Sequence, residues 1–286
     1  MQPERITMPD IDPASLFPYA PIVDRPPVTW PNGATLAVWV IPNIEHYRLG
    51  GNAPDVRSFA RRDYGNRVGI WRLMEVLAKH GVRGSVALNG EVGTRYPRVM
   101  EEAVKLGWEF MGHGFNNSTM LPSLSPEEEV ANIDATKNAI AAHGQRMRGW
   151  LSPALRESWN TLDFLQKAGV DYVCDWVNDD LPYRMNNGIF SIPYTIELND
   201  YSLFSEPSIS IDDFEKRIRD SCDTLLEESA KKGGRVMAIA LHPFLIGVPH
   251  RIRYLDRALQ YIAGQDKIWF ATGSEIIDAF RAQTKT

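Results

Sequence analysis

Residues Arg235–Leu241 read RVMAIAL, and His242, Pro243 and Phe244 follow directly. A nearly unbroken apolar run of this length is typical of a strand buried on both faces, as the strands of parallel sheets are. Functional residues of parallel α/β folds collect at the carboxyl edge of the sheet, where the strands end and the loops begin. The stretch therefore predicts a central parallel strand with a candidate functional histidine at its end.

From Ala34 onward, short apolar runs alternate with segments whose apolar residues recur at helical spacing. Such repeated β–α units with apolar strands predict an α/β fold, a parallel sheet covered by helices. About eight strands in roughly 250 residues predict a closed or nearly closed barrel, and an open doubly wound sheet is the alternative. The predicted strands span residues 34–42, 83–88, 108–112, 147–151, 171–175, 189–193, 235–241 and 267–271. The predicted helices span residues 68–80, 96–106, 125–144, 158–168, 211–232, 254–263 and 274–282.

The first 33 residues differ from the rest because they contain eight prolines and no sustained apolar period. Proline is excluded from helix interiors and central strands, so residues 1–33 are predicted to form an extended arm. The arm lies on the surface of its own domain or wraps a neighbouring subunit. Residues 34–286 are predicted to form a single barrel domain, since a chain of 286 residues can bury one large core.

The composition of the chain limits which binding partners and which cellular compartment we expect. The formal net charge of −5 gives no polybasic surface, so we expect neither nucleic acid nor membrane as a partner. Cys174 and Cys222 are the two cysteines of the chain, too few for a disulfide framework. The first residues lack the pattern of a signal peptide, and no apolar run reaches the roughly 20 residues that span a bilayer. A cytoplasmic location is therefore expected.

Histidines gather at the predicted strand ends. His46, His113 and His242 each follow a predicted strand, and Glu45 precedes His46. Strand ends of a parallel sheet open to one edge, so these side chains are expected to converge. His80 and His143 instead end helices, where an imidazolium interacts favourably with the helix dipole.

Other strand ends carry polar and aromatic residues. Asn117 lies in the loop after the third predicted strand, where turn formation is an equal alternative to a functional role. Trp150 and Trp176 could stack on a ring-shaped substrate or pack in the core. Asp175 directly precedes Trp176.

The order of these motifs resembles the polysaccharide-deacetylase family over most of residues 34–273. The segment from Arg62 to Gly69, RDYGNRVG, followed by Trp71-Arg72-Leu73, resembles the allantoinase-like branch, which also includes cyclic imide hydrolases. The motifs that carry the family resemblance are Glu45-His46, His113-Gly114, Trp150-Leu151-Ser152-Pro153, Asp175-Trp176 and Leu241-His242-Pro243.

The resemblance implies a distorted (β/α) barrel of seven to eight parallel strands and the hydrolysis of an N-acetyl, linear or cyclic amide. By position, Glu45 matches the general base and His242 the general acid. His46, His113 and Asn117 match the three metal ligands of the metal-dependent members. The arginine usual in the fourth-strand motif is missing, because Leu151 or its neighbour takes its place.

Substrate binding is assigned to four residues. Arg62 or Arg156 is expected to compensate for the missing arginine, and we predict Arg62, Trp150, Trp176 and Asp175 as the substrate-binding set. The alternative to an enzyme is a catalytically silent protein that binds a carbohydrate or another small ligand. Because its oligomeric relatives and its proline-rich arm favour assembly, a homo-oligomer, dimer or tetramer, is expected.

The ligand set decides the expected cofactor. A catalytic zinc site usually has three ligands drawn from His, Asp, Glu and Cys. A carboxamide oxygen such as that of Asn117 suits harder ions better. We therefore expect no tightly bound metal, and a weakly held divalent ion such as zinc is the alternative.

Overall fold

The computed structural model describes residues 11–50, 52–205 and 210–284. Within them, nine strands form one curled sheet: β1 Leu36–Ile44, β2 Ser85–Leu88, β3 Glu109–Gly112, β4 Gly149–Trp150, β5 Tyr172–Val173, β6 Tyr183–Arg184, β7 Phe190–Ser191, β8 Arg235–Leu241 and β9 Ile268–Phe270.

The strand order is β6-β7-β5-β4-β3-β2-β1-β8, and β9 pairs with the first residues of β1. All strand pairs are parallel except β6 with β7. Eight strands thus take part in parallel pairs, and the predicted distorted (β/α) barrel is confirmed.

Ten α-helices accompany the sheet in the described part of the chain. The helices are α1 Val56–Tyr64, α2 Ile70–Lys79, α3 Gly90–Arg95, α4 Pro97–Lys105, α5 Pro126–Ala141, α6 Thr161–Lys167, α7 Asp200–Ser205, α8 Ile211–Lys232, α9 Ile252–Ala263 and α10 Gly273–Gln283. A π-helical segment, Gly65–Gly69, joins α1 to α2. None of the described helices is both long enough and apolar enough to cross a bilayer.

Side chains of β1 alternate between two hydrophobic clusters, as the pleat of a strand requires. Leu36, Val38 and Val40 belong to the outer cluster between the sheet and its helices. Trp39 belongs to the inner cluster, enclosed by the curled sheet, and its Nε1 donates to the carbonyl of Pro193 at 3.0 Å. The two clusters pack the two faces of the sheet and hold its parallel strands in place, so that their carboxyl ends lie at the same rim.

Irregular backbone, rather than a further strand, covers the free edge of β8. The N–H of Val236 donates to the carbonyl of Asp180 at 3.0 Å, and that of Ala240 donates to Leu198 at 3.1 Å. These bonds satisfy part of an edge that would otherwise be exposed. The sheet is therefore a curled, open barrel whose β8 edge is bridged by irregular backbone.

The arm is described from residue 11 onward, and its first ten residues lie outside the described residues. Phe17 packs edge-on against Trp176, with 5.1 Å between the ring centroids. Val28 and Trp30 are buried in the inner cluster. The described part of the arm thus packs on the barrel, while its extent as a separate unit stays a prediction.

Candidate active site

Glu45 lies at the centre of a group of buried polar side chains just beyond β1. Its Oε1 is 3.8 Å from Nε2 of His113 and 3.5 Å from Nε2 of His242. Its Oε2 accepts a hydrogen bond from Nε of Arg62 at 3.2 Å. Glu45, His113 and His242 are only 7%, 3% and 5% exposed. The carboxyl ends of β1, β3 and β8 therefore bring the three predicted residues into one pocket.

The charge state of Glu45 follows from its neighbours. Burial alone would raise the pKa of this carboxyl, but hydrogen bonding to His113 and His242 and the charges of His242 and Arg62 outweigh it. The net effect holds the pKa of Glu45 well below its usual range. The carboxylate is accordingly ionised at neutral pH.

His242 is held by Asp200, which sequence reasoning missed. Nδ1 of His242 lies 2.7 Å from Oδ1 of Asp200, and the backbone N–H of His242 donates to Oδ2 at 2.8 Å. Burial opposes a charge on His242, but Asp200 and Glu45 outweigh it and raise the pKa of the imidazole to about 9. With Nδ1–H donated to Asp200, Nε2–H is the proton directed towards Glu45.

The ring of His113 is fixed from the opposite side. Its Nδ1 lies 2.7 Å from the carbonyl oxygen of Leu151, which can only accept, so Nδ1 carries a proton. The next residue, Ser152, donates its backbone N–H to Oδ1 of Asp175 at 2.7 Å. Asp175 thus anchors the loop after β4 that orients His113, and its predicted role in substrate binding stays a prediction.

A second carboxyl lies beside Asp175. Burial and the negative charge of Asp175 raise the pKa of Glu157 to about 10, and burial also raises the pKa of Asp175. Glu157 is therefore protonated at neutral pH.

Arg62 is the arginine of the site. It is buried, and its guanidinium lies 3.9 Å from the ring centroid of Tyr47 and 4.7 Å from that of Phe244. Arg156, the other candidate, is exposed. The structure therefore brings Arg62, rather than Arg156, to Glu45.

The π-helical segment allows α1 and α2 to lie close to the loop that carries His242. A Cβ atom on Gly69 would overlap the carbonyl oxygen of Pro243, and one on Gly65 would lie 2.9 Å from the backbone nitrogen of Phe244. Asn66, within this segment, donates from Nδ2 to the carbonyl oxygen of Glu45 at 2.9 Å. The Arg62–Gly69 motif thus contacts both the loop after β1 and the loop after β8.

The predicted metal ligands do not share one centre. Nε2 of His46 is 3.8 Å from Oε1 of Glu91, and its Nδ1 is 3.3 Å from Oη of Tyr96. Oδ1 of Asn117 accepts from Nδ2 of Asn89 at 2.9 Å. His113 is engaged with Leu151 and Glu45 as described. Each predicted ligand therefore has its donor atom directed at a different group.

The residues present do not fit a zinc site. Over residues 11–50, 52–205 and 210–284, no three side chains of the His, Cys, Asp or Glu type form a group able to hold a metal ion. Burial lowers the pKa of His46, with Glu91 opposing it. The assignment of His46, His113 and Asn117 as ligands stays a prediction that metal analysis has to test.

Neither tryptophan lies against the group around Glu45. Trp150 is fully buried in the outer cluster, and its Nε1 donates to Oγ of Ser152 at 3.0 Å. Its prediction as a substrate-binding residue is corrected, because the side chain points to the helical layer rather than the pocket. Trp176 is partly buried against Phe17 of the arm.

A cavity of about 430 Å³ lies beside the group around Glu45. Arg62, one of its lining residues, binds Glu45, and the ring of Tyr201 is 5.4 Å from that of His242. A larger cavity, of about 1070 Å³, lies between the arm and α8 and includes none of Glu45, His113 and His242. The smaller cavity is lined by Tyr47, Asp55, Arg57, Ser58, Arg61, Arg62 and Tyr201.

Sequence reasoning missed the residues that follow β2. Asn89 accepts the N–H of His46 at 2.9 Å and donates to the carbonyl of His113. Glu91 accepts from Arg48 at 2.9 Å and from Asn116 at 3.1 Å. The strand-end rule that selected Glu45 and His242 would have found Asn89 and Glu91 had it been applied to this strand.

Comparison with known proteins agrees with the motif resemblance, which is confirmed. The family model described as polysaccharide deacetylase matches residues 62–173. A curated protein of Schizosaccharomyces pombe, whose name assigns it provisionally to the polysaccharide deacetylases, is 28% identical over 243 residues, covering 77% of this chain and 75% of its own length.

Solved structures share the fold. A probable polysaccharide deacetylase from Pseudomonas aeruginosa PAO1 superposes with a TM-score of 0.84 at 25% identity, covering 91% of this chain and 95% of the other. A structure named Puue allantoinase superposes with a TM-score of 0.83 at 24% identity, covering 91% and 94%.

Proposed function

We propose that this chain, which resembles the polysaccharide-deacetylase family in fold and motif order, hydrolyses a non-peptide carbon–nitrogen bond of a small linear or cyclic amide. The observation that carries the proposal is the position of Glu45 Oε1, 3.8 Å and 3.5 Å from the Nε2 atoms of His113 and His242. Amide hydrolysis needs a base for the attacking water and an acid for the departing nitrogen. An ionised carboxylate beside a protonated imidazole supplies both.

In the proposed reaction, Glu45 takes a proton from a water molecule as that water attacks the amide carbon. A carboxylate of low pKa is a weak base. Before the reaction begins, Glu45 is therefore expected to bind the water molecule rather than to deprotonate it. His242 then transfers its Nε2 proton to the leaving nitrogen, and the proton held by Glu45 passes to His242 to restore the site. The carbon–nitrogen bond then breaks to give a carboxylic acid and an amine.

The tetrahedral intermediate carries a negative charge on the former carbonyl oxygen. Arg62 is the guanidinium beside Glu45, and its ion pair with that residue and the rings of Tyr47 and Phe244 fix its place. Preorganised donors of this kind commonly contribute 10²–10³-fold to rate, roughly, because they need no reorganisation during reaction. We assign Arg62 to the stabilisation of this oxyanion.

The depth of the site favours a small substrate over a polymer. Glu45, His113 and His242 are all buried, whereas a polymer-acting enzyme exposes its catalytic groups along an open groove. The adjoining cavity of about 430 Å³ lies within the usual range of small-molecule sites, roughly 300–1,000 Å³. A linear or cyclic amide is therefore preferred to an N-acetylated polysaccharide.

A ligand-binding protein without catalysis is the second candidate. It is favoured by the side chains at the predicted metal positions, which are engaged with Glu91, Tyr96 and Asn89 instead of with one another. The retained pair of Glu45 and His242 argues against it, since binding alone does not need a base and an acid.

The test is a hydrolysis screen of the purified protein on an N-acetylated sugar oligomer, linear amides and cyclic imides, with release of acid or amine measured. Glu45→Gln should lower kcat on the best substrate by roughly 10²–10⁴-fold, the scale of a general base. Glu109→Gln is the matched control, because Glu109 begins β3 at the opposite end of the barrel, bonded to Tyr172 at 2.8 Å. Binding of a member of the panel without turnover would instead support the second candidate.

A further inference from the structure

The cavity beside Arg62 has an unbalanced charge. Three arginines and one carboxylate line it, namely Arg57, Arg61, Arg62 and Asp55. Arg62 is paired with Glu45. Asp55 acts as the cap of α1, accepting the N–H of Ser58 at 3.0 Å.

In the described part of the chain, Arg57 and Arg61 form no salt bridge, although the charges of Arg57 and Asp55 interact. Among the residues that the structure describes, no Asp or Glu lies within ion-pairing distance of Arg57 or Arg61. Both side chains are exposed, so neither pays a large desolvation cost while unpaired. The whole chain has a formal net charge of −5, so this cavity is a positively charged region of a negatively charged protein.

Arg61 and the proposed general acid lie around the same aromatic ring. The guanidinium of Arg61 is 5.5 Å from the ring centroid of Phe244, and the ring of His242 is 5.4 Å from it. Arg61 lines the cavity, and Phe244 separates it from His242 by no more than one aromatic ring.

A further positive charge lies near Arg61. Burial lowers the pKa of Arg251, and the charge of Arg61 lowers it further. The guanidinium of Arg251 lies 4.2 Å from the ring centroid of Phe204 and is not used for substrate in the proposed reaction. Arg251 thus adds a cation near Arg61, while the charge of Asp200 opposes its effect.

We infer that the substrate is an amide that also carries a carboxylate, which Arg61 binds with the help of Arg57 while the amide lies at Glu45 and His242. A guanidinium presents paired N–H donors that match the two oxygens of a carboxylate. The positive cavity would also steer an anion towards the buried site. This inference rests on the proposed function, and it names the substrate class of the same site.

The experiment compares matched probes that differ only by a carboxylate. Dihydrouracil and its 6-carboxylate form the cyclic pair, and N-methylacetamide and N-acetylglycine form the linear pair. We expect the anionic member of at least one pair to have the higher kcat/KM. The preference should weaken as salt is raised to about 0.15 M and above, because mobile ions screen exposed charges.

Single arginine substitutions test which residue causes the preference for the anionic probe. Arg61→Gln should reduce the ratio of kcat/KM for the anionic over the neutral probe by roughly 10- to 100-fold, the worth of a charge-assisted hydrogen bond. Arg253→Gln is the matched control, since this exposed arginine of α9 does not line the cavity. It should leave the ratio unchanged.

The outcomes separate this inference from the proposed function. Equal hydrolysis of both members, with the ratio unaffected in Arg61→Gln, would overturn the inference and leave the hydrolase intact. Calorimetric binding of the anionic member alone, lost in Arg61→Gln but without turnover, would support the inference and contradict hydrolysis. If no anionic probe is either bound or hydrolysed, the inference is overturned.

Discussion

Asp200 accepts two hydrogen bonds from the same residue, His242: one from the backbone N–H at 2.8 Å and one from ring Nδ1 at 2.7 Å. Asp200 is completely buried at the start of α7. Because backbone and ring are both held, the imidazole cannot rotate without breaking a bond to a desolvated carboxylate. The bond also selects the tautomer that presents a proton at Nε2.

Replacing Asp200 by asparagine should change the pH dependence of activity. A general acid must be protonated, so activity falls as pH rises through its pKa, here about 9 for His242. Without the Asp200 charge, burial dominates and lowers that pKa. The alkaline limb of the kcat profile should therefore move to lower pH, and kcat at pH 8 should fall about 10–100-fold.

Asp200→Glu serves as the companion variant, since it keeps the charge while lengthening the side chain. It should retain the position of the alkaline limb better than Asp200→Asn does. An unchanged limb in Asp200→Asn, with the fold intact by circular dichroism, would mean that another group is the acid.

Gly69→Ala should destabilise the protein and reduce activity together. The new methyl would overlap the carbonyl oxygen of Pro243, so the helix or the loop that carries His242 must move. We expect a loss of about 1–3 kcal/mol in the free energy of unfolding, the usual cost of overpacking, measured by urea denaturation. Gly93→Ala in α3 is the control, because its Cβ would meet its nearest neighbour at 3.5 Å.

Chelation should leave activity nearly unchanged. The predicted ligands His46 and Asn117 are engaged with other side chains, so a tight zinc site is not expected. Activity after dialysis against a chelator, together with elemental analysis, checks this expectation. A stoichiometric zinc that survives dialysis and is lost when His46 and His113 are replaced would contradict it. In that case Asn117→His should tighten metal binding.

The protein should assemble as a dimer or tetramer. Tyr19 and Val23 of the arm are 90% and 76% exposed, and side chains of this kind are commonly covered by a partner. Light scattering at micromolar concentration should give a multiple of 32.3 kDa. Tyr19→Ser together with Val23→Ser should shift the mass towards the monomer, whereas a wild-type monomer would contradict the proposal.

Regular elements could be predicted where one physical signal dominates. The apolar run of β8 and the long amphipathic α8, with its capping serine and terminal glycine, were predicted at their observed bounds. Helix α1, Val56–Tyr64, was not predicted, because its few apolar residues stand among many charged ones and give only a weak signal. The two-residue β6 was missed because its antiparallel pairing with β7 depends on tertiary contacts.

The residues of the candidate site also divide into those that the sequence predicts and those that it does not. Glu45, His113 and His242 were identified because the carboxyl ends of parallel strands meet at one edge. Asp200 follows no strand and opens a six-residue helix, so nothing local distinguishes it from a solvated carboxylate. The direction of the His46 ring, towards Glu91 and away from Glu45, depends on side-chain packing that motif position does not encode.

The π-helical segment, Gly65–Gly69, also sets the angular phase between α1 and α2. Each residue of an α-helix advances the chain by about 100° around the axis, and a π turn accommodates one residue more than an α turn. Removing one residue here would make the helix uniform and rotate the face bearing Arg62 by about 100° relative to the buried face of α2. The guanidinium would then leave Glu45 although every strand of the barrel stayed in place. A single inserted residue thus couples the orientation of Arg62 to the packing of a core helix.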